Sequence, residues 1–246
     1  MNELYQRNQF YIPTSDQERV KLYNVFLAGC GIGSNIAECA LRLGFESQTL
    51  IDGDLIELSN LNRQNYTSDQ IQYPKSLSLR DRLLSINPNS KIRSEEIFLD
   101  SDNIANYLEG HDVAINALDF KSDVPFRFDE QCQKLGIPVL HPYNIGWATM
   151  IFVITPDSAG LTYISDEFDG FEKKVAAFLI ENISGDAKSW VTDVLRQYEV
   201  NGKGQSPPQL SVGSWLAAGA CTNILYKLAT GKHVKVFPDF YFLTAG

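Results

Sequence analysis

One stretch narrows the fold more than any other. "NVFLAGCGIGSNIAECALRLGFESQTLIDGD", residues 24–54, begins with an apolar run, turns through glycines, and then carries Ile36, Ala37, Ala40 and Leu41 at helical spacing. A second apolar run follows and ends at Asp52. The pattern reads as strand, tight turn, helix and strand. Two strands joined in this way lie parallel in one sheet, with a right-handed crossover.

The alternation continues. "SLSLRDRLLSINPN" predicts a helix halted at Asn87 and Pro88, "KIRSEEIF" a strand, and "SDNIANYLEG" a short capped helix. "HDVAINALD" then predicts a strand, "VPFRFDEQCQKLGI" a helix with Pro125 in its first turn, and "PVLHPYN" a further strand. This predicts a Rossmann-like, doubly wound, mostly parallel sheet with helices on both faces. After residue 146 the rhythm changes. "WATMIFVITPDS" is a strand without a matching helix, Phe171, Val175 and Phe178 make one apolar stripe, and Trp190, Val194 and Tyr198 make another. "NGKGQSPP" is a loop, "LSVGSWLAAGACTNILYKLATG" a core helix ended by Gly231, and "KVFPDFYFL" a terminal strand that extends the sheet.

At 246 residues, the expectation is a single domain over 1–246, with a nucleotide-binding half at 1–146. The net charge of -9 leaves no basic stripe, which argues against nonspecific nucleic-acid or membrane-surface binding. The first residues lack a basic stretch followed by an apolar core, so a cytoplasmic protein is expected. Cys30, Cys39, Cys132 and Cys221 form no CxxC pair, and reduced thiols without zinc are expected. His111, His141 and His233 are widely separated; His141 is expected to be structural, and Tyr143 and Trp147 to pack.

Ligands of an open parallel sheet bind beyond the carboxyl ends of its strands. Three segments land there. Gly29, Gly31 and Gly33 would let backbone N–H groups approach phosphates at a helix start, although "GCGIGS" is not a GxGxxG pattern and a plain tight turn is the alternative. Asp52 can hold a ribose hydroxyl pair, as in an NAD enzyme. Asp119, closing "VAINALD", can take a magnesium ion that bridges phosphates, or cap a helix. What separates the readings is "LIDGDLIELSNLNRQN", residues 50–65, where Asn60, Arg63 and Gln64 cluster on one turn. A planar guanidinium flanked by amides suits a polyphosphate better than a nicotinamide, and Lys75 adds a point charge.

At these residues the chain resembles the ThiF/MoeB/HesA family, bacterial relatives of ubiquitin-activating enzymes. The family pattern is a glycine-rich turn, "DxDxVxxSNLxRQ", a "PK" pair and a strand ending in Asp. Asp52, Asp54, Ser59, Asn60, Leu61, Arg63, Gln64, Lys75 and Asp119 match it. "LYQRNQF" resembles the family's "RYxRQ", which implies that Arg7 is an arginine finger reaching a neighbouring subunit's ATP in a homodimer. The likeness covers roughly residues 3–156 and 203–232, and it makes the second half, 147–246, a crossover segment, late helix and terminal strand.

The resemblance implies ATP-dependent adenylation of a carboxylate, typically the C-terminus of a small protein or peptide. Arg63, Lys75 and Mg²⁺ on Asp119 would neutralise charge, Asn60 and Gln64 would fix geometry, and Asp52 and Asp54 would hold the nucleotide. Three departures stand out. The glycine turn is one residue short, the zinc-holding CxxC pairs are missing, and no cysteine lies where thioester-forming members carry theirs. Adenylation without a covalent thioester on this chain is therefore expected. The competing readings are an inactive scaffold subunit and an NAD-dependent oxidoreductase; a branch acting on modified tRNA fits the acidic charge poorly.

Overall fold

The computed structural model describes residues 3–202 and 206–245. A 3-10 helix, Glu3–Asn8, precedes α1 (Thr14–Leu22), β1 (Asn24–Ala28), α2 (Ile32–Leu43), β2 (Ser47–Ile51), α3 (Lys75–Ile86) and β3 (Lys91–Glu95). Next come α4 (Ile104–Leu108), β4 (Val113–Asn116), α5 (Val124–Lys134), β5 (Val139–Asn144) and β6 (Ala148–Ile154). The chain closes with α6 (Phe171–Asn182), α7 (Gly185–Asn201), α8 (Ser211–Ala229) and β7 (Tyr241–Thr244). The strands form one seven-stranded sheet in the order β3-β2-β1-β4-β5-β6-β7. The first five are parallel, while β6 and β7 are antiparallel additions. The expected doubly wound, mostly parallel sheet extended by C-terminal strands is what forms.

Both faces of the sheet are covered, which explains why the central strands read as continuous apolar runs rather than alternating ones. Val25, Leu27, Leu50, Ile115 and Val153 meet Ile36, Leu41, Leu79, Leu83, Cys221 and Leu225 of α2, α3 and α8. On the other face Phe26, Ile51, Ala114, Val139 and Phe152 meet Ile104, Phe128, Cys132, Phe171 and Leu179 of α4, α5 and α6. Across β4 and β5 runs a buried polar chain. His141 Nε2 lies 2.9 Å from both Asp129 carboxylate oxygens, and Asn116 Nδ2 donates to Asp129 Oδ1 at 2.9 Å and to the Pro125 carbonyl at 2.9 Å. His141 is thus structural, as expected.

Several sequence expectations need correction. Helix α1 was not foreseen because it has no apolar stripe; it buries only Gln17 and Val20, and Gln17 Nε2 docks on the Leu43 carbonyl at 2.9 Å. The terminal strand is confined to Tyr241–Thr244, so most of "KVFPDFYFL" precedes it as irregular chain. The stripe on α7 is rotated from the one read in the sequence: Val191 is buried while Val194 is exposed. Phe171 and Val175 do face the core from α6. Strand β4 ends at Asn116, and Asp119 stands three residues further on, in the turn. Within "NGKGQSPP", residues 203–205 lie outside the described residues.

Candidate functional site

The strand order reverses at β1, whose neighbours β2 and β4 leave in opposite directions along the sheet. Beyond the carboxyl ends of β1 and β4 lies the crevice where such sheets take ligands. Gly29 crosses it with φ +94, and a Cβ there would stand 2.4 Å from the Ala117 carbonyl oxygen. No other residue fits this turn without moving backbone. Helix α2 then starts at Ile32 without a side-chain cap, which leaves its first N–H groups without a side-chain acceptor, the kind of helix end that suits an anion. Gly33 sits inside the first helical turn, and a Cβ would meet only Leu27 at 3.8 Å. The shortened pattern thus has one sterically obligatory glycine, Gly29. Gly31 lies under the amide of Gln64, whose Nε2 would be 3.2 Å from an added Cβ.

Asp52 follows β2 directly. Its Oδ2 accepts from the Cys30 N–H at 2.6 Å and its Oδ1 from the Asp54 N–H at 2.8 Å. Burial raises its carboxyl, and Lys75 with those two amides opposes the rise. Lys75, at the start of α3, is buried, and its Nζ pairs with Asp54 Oδ2 at 2.9 Å. Tyr66 ties this corner together, its hydroxyl donating to the carbonyls of Cys30 at 2.7 Å and Lys75 at 3.2 Å. Against Gly53 lies the ring of Phe98, which would be 2.7 Å from a Cβ at that position and is 69% exposed.

The loop after Asp54 is folded by its own polar side chains. Asn60 Oδ1 accepts from the Glu57 N–H at 3.0 Å and the Glu57 carboxylate accepts from the Asn60 N–H, a reciprocal capping box. Asn60 is therefore first a builder of the loop. Arg63 Nε donates to Gln209 Oε1 at 2.6 Å, and Nη1 donates to the Ser59 carbonyl and to Asn62 Oδ1, both at 2.8 Å. Burial lowers the guanidinium, and the charge of Asp119 opposes that. Behind the loop, Glu38 of α2 takes charge-assisted bonds from Arg42 and Arg82 and a further bond from the Asn65 amide. Ser34 Oγ accepts from the Asn65 N–H at 3.0 Å.

Asp119 faces solvent, its side chain 69% exposed, and pairs with Lys121 at 3.0 Å. A cation already rests on this carboxylate. Magnesium is commonly held by one or two carboxylates together with substrate phosphates, and a single exposed Asp119 fits that demand. Arg7 is not brought to the site of its own chain. Its 3-10 helix is anchored to the far end of α2, through Tyr5 on the Leu41 carbonyl at 3.3 Å and Asn8 on that of Leu43 at 3.0 Å. A helix of twelve residues puts that end about 18 Å from the glycine turn.

Glycines 29 and 31, Asp52, Asp54, Asn60, Arg63, Gln64, Lys75 and Asp119 therefore gather along one crest, while Gly33 is peripheral and Arg7 lies remote. Sequence reading missed Tyr66, Phe98, Lys121 and Gln209. Lys121 stands only two residues from Asp119 and was within reach of a charge count. Gln209 carried no signal, because its partner is 146 residues away.

Comparison with known proteins fits this geometry. The chain is 28% identical over 164 residues to the sulfur carrier protein ThiS adenylyltransferase of Bacillus subtilis, covering 64% of this chain and 48% of the relative. To the molybdopterin-synthase adenylyltransferase of Escherichia coli it is 34% identical over 141 residues, 56% of each chain. The chain thus spans about half the length of these curated relatives. The crystal structure of E. coli MccB with ATP superposes with a TM-score of 0.73 at 16% identity, over 100% of this chain and 72% of that one, a likeness of fold. The sequence profile of the ThiF family matches residues 5–245, nearly the whole chain, and with the crevice just described it establishes that the protein is a member of the ThiF family.

Proposed function

We propose that the chain is an ATP-dependent adenylyltransferase that activates a carboxylate, the C-terminus of a small protein or peptide, as acyl-AMP with release of pyrophosphate. The observation that carries this reading is the convergence of Arg63, Lys75 and Asp119 around the Gly29 turn, at the switch point of the sheet. The names of the relatives, adenylyltransferases for a sulfur carrier and for molybdopterin synthase, support the same chemistry.

In this mechanism the start of α2 would take the triphosphate, Asp52 would hold the ribose and the exposed Phe98 ring would offer a face to the adenine. A carboxylate oxygen of the substrate attacks the α-phosphorus, and the bond from that phosphorus to the bridging oxygen of pyrophosphate breaks. The attacking carboxylate is already ionised at neutral pH, so no general base is required. Arg63 and Lys75 offset the charge that builds on the phosphoryl oxygens, and the fixed loop holds the reacting atoms in line. Asp119 would hold Mg²⁺, which supplies charge neutralisation when bound. Burial pushes the thiols of Cys132 and Cys221 up, which disfavours the thiolate an acyl transfer to this chain would need.

The wider reading includes one domain over 1–246, a cytoplasmic location and a homodimer in which Arg7 serves a second copy's nucleotide, its distance from its own site being the support. Among the described residues no helix is long and apolar enough to cross a membrane. The test is calorimetric titration with ATP and Mg²⁺, NADH run beside it, followed by pyrophosphate exchange. ATP binding by the wild type, weakened but still measurable in Arg63→Ala and Asp119→Ala, is expected; NADH binding in its place would sink the proposal.

A further inference from the structure

The guanidinium of Arg63 has five N–H donors in a rigid plane. Three are already committed. Nε–H goes to Gln209, and the two hydrogens of Nη1 go to the Ser59 carbonyl and Asn62. Among the described residues, the two donors on Nη2 have no such partner. The group is therefore not a free fork that can turn to meet its ligand; it is held on two edges and presents the third.

Two of the three acceptors are local to the loop, within four residues of Arg63. Gln209 alone comes from elsewhere, from the segment before α8. That segment is itself fixed. The Leu210 carbonyl accepts from Asn144 Nδ2 at 2.7 Å, the Gln209 carbonyl from Asn62 Nδ2 at 3.4 Å, and Asn144 Nδ2 also bonds Ser214 Oγ at 2.9 Å. Gly213 lets α8 seat this closely, since a Cβ there would stand 2.4 Å from Asn144 Oδ1. A bracket thus runs from the end of β5 through residues 209 and 210 to the loop carrying Arg63. Its last link is a neutral amide. An acceptor of that kind satisfies Nε–H and fixes the guanidinium plane without adding a negative charge of its own.

Resting on the adenylyltransferase reading, we infer that Gln209 is a positioning residue that locks the rotation of Arg63 so that its Nη2 edge, with its charge intact, faces the nucleotide phosphates. The lock makes ATP affinity depend on the segment before α8, although Gln209 need not touch the nucleotide.

The experiment is a double-mutant cycle on the full chain, read by calorimetric titration with ATP and Mg²⁺. Gln209→Ala is expected to weaken binding about tenfold, the effect of losing one hydrogen bond to a charged group. On an Arg63→Ala background the same substitution is expected to change nothing. Gln209→Glu keeps the size and the acceptor but cancels the charge of Arg63, so it should bind ATP at least as weakly as Gln209→Ala; it also serves if the alanine variant does not fold. Unchanged ATP affinity in both variants, or fully additive losses in the cycle, would overturn the assignment while leaving the proposed activity standing. A wild type that binds no ATP would overturn the activity and the assignment together.

Discussion

Helices α2 and α7 show how differently two parts of this molecule are held. In α2, eight of twelve residues are buried, including the charged Glu38. In α7, seventeen residues long, only Val191 is. One packs beside α8 on one face of the sheet and carries the Gly29 turn at its head. The other packs on α6 at the periphery. The part of the chain that carries the candidate site is over-determined, and α7 is held by little more than one apolar line. Stability is unevenly spread in most proteins; here the unevenness separates the candidate-site crest from α7.

The sharpest way to break this comparison is at the turn that feeds α2. Gly29→Ala places a methyl group against the Ala117 carbonyl and forces an L-residue to φ +94. Strain and overpacking together should cost about 4 kcal/mol, read from urea unfolding. A loss below about 1 kcal/mol would mean that the β1 and β4 ends are not in contact as described. Next is Asp129→Ala, which leaves the His141 ring and the Asn116 amide without their shared partner inside the core. About 3 kcal/mol is expected for breaking a buried pair, with Asp129→Asn recovering part of it.

Glu38 gives a smaller effect with a pH signature. Burial pushes its carboxyl up, but the bonds from Arg82, Asn65 and Arg42 outweigh burial and the net direction is down. A carboxylate lowered by folding contributes stability that is complete above its unfolded value, about 4.3, and is lost as pH falls through the folded value. Glu38→Gln should therefore cost about 1–2 kcal/mol at neutral pH. The difference from wild type should shrink as the medium is acidified below the ordinary glutamate range. A gap that stays constant down to pH 2 would show that the Arg82 and Asn65 bonds do not depend on the charge.

How much of this was legible beforehand follows the same division. The βαβ unit, the sheet class and the gathering of the candidate residues beyond the strand ends could be read because local signals and global packing agree there: apolar runs, a glycine where only glycine fits, a dense polar loop. What escaped were contacts between residues distant in sequence. Gln209 on Arg63 and Phe98 on Gly53 leave no periodic trace, and Lys121 on Asp119 was passed over because a lysine in a turn is ordinary. The sequence presents Asn60 and Gln64 as ligand groups; Asn60 also builds its own loop, since a side chain that can bond a phosphate can equally bond a backbone. The stripe on α7 was misplaced because a half-exposed helix can offer several apolar lines, and burial selects one: Val191 and the half-buried Leu195 rather than Val194.

That selection leads to the gentlest test. Val191→Ala removes two methyl groups from the only buried position described on α7 and should cost about 1 kcal/mol, whereas Val194→Lys, at a position 43% exposed, should stay within about 0.5 kcal/mol. If α7 opens independently of the crest, amide exchange along Gly185–Asn201 will speed up in Val191→Ala while exchange in α2 and the affinity for ATP do not change. If both helices respond together, α7 is coupled to the nucleotide site through α6 and the Phe171 cluster, where Phe120 and Phe126 lie with ring centroids 4.5 and 4.9 Å from Phe171. Phe120 is the residue next to Asp119, so the cluster gives the otherwise peripheral helix one physical route to the proposed metal-binding turn. The exchange pattern decides whether that route carries any coupling.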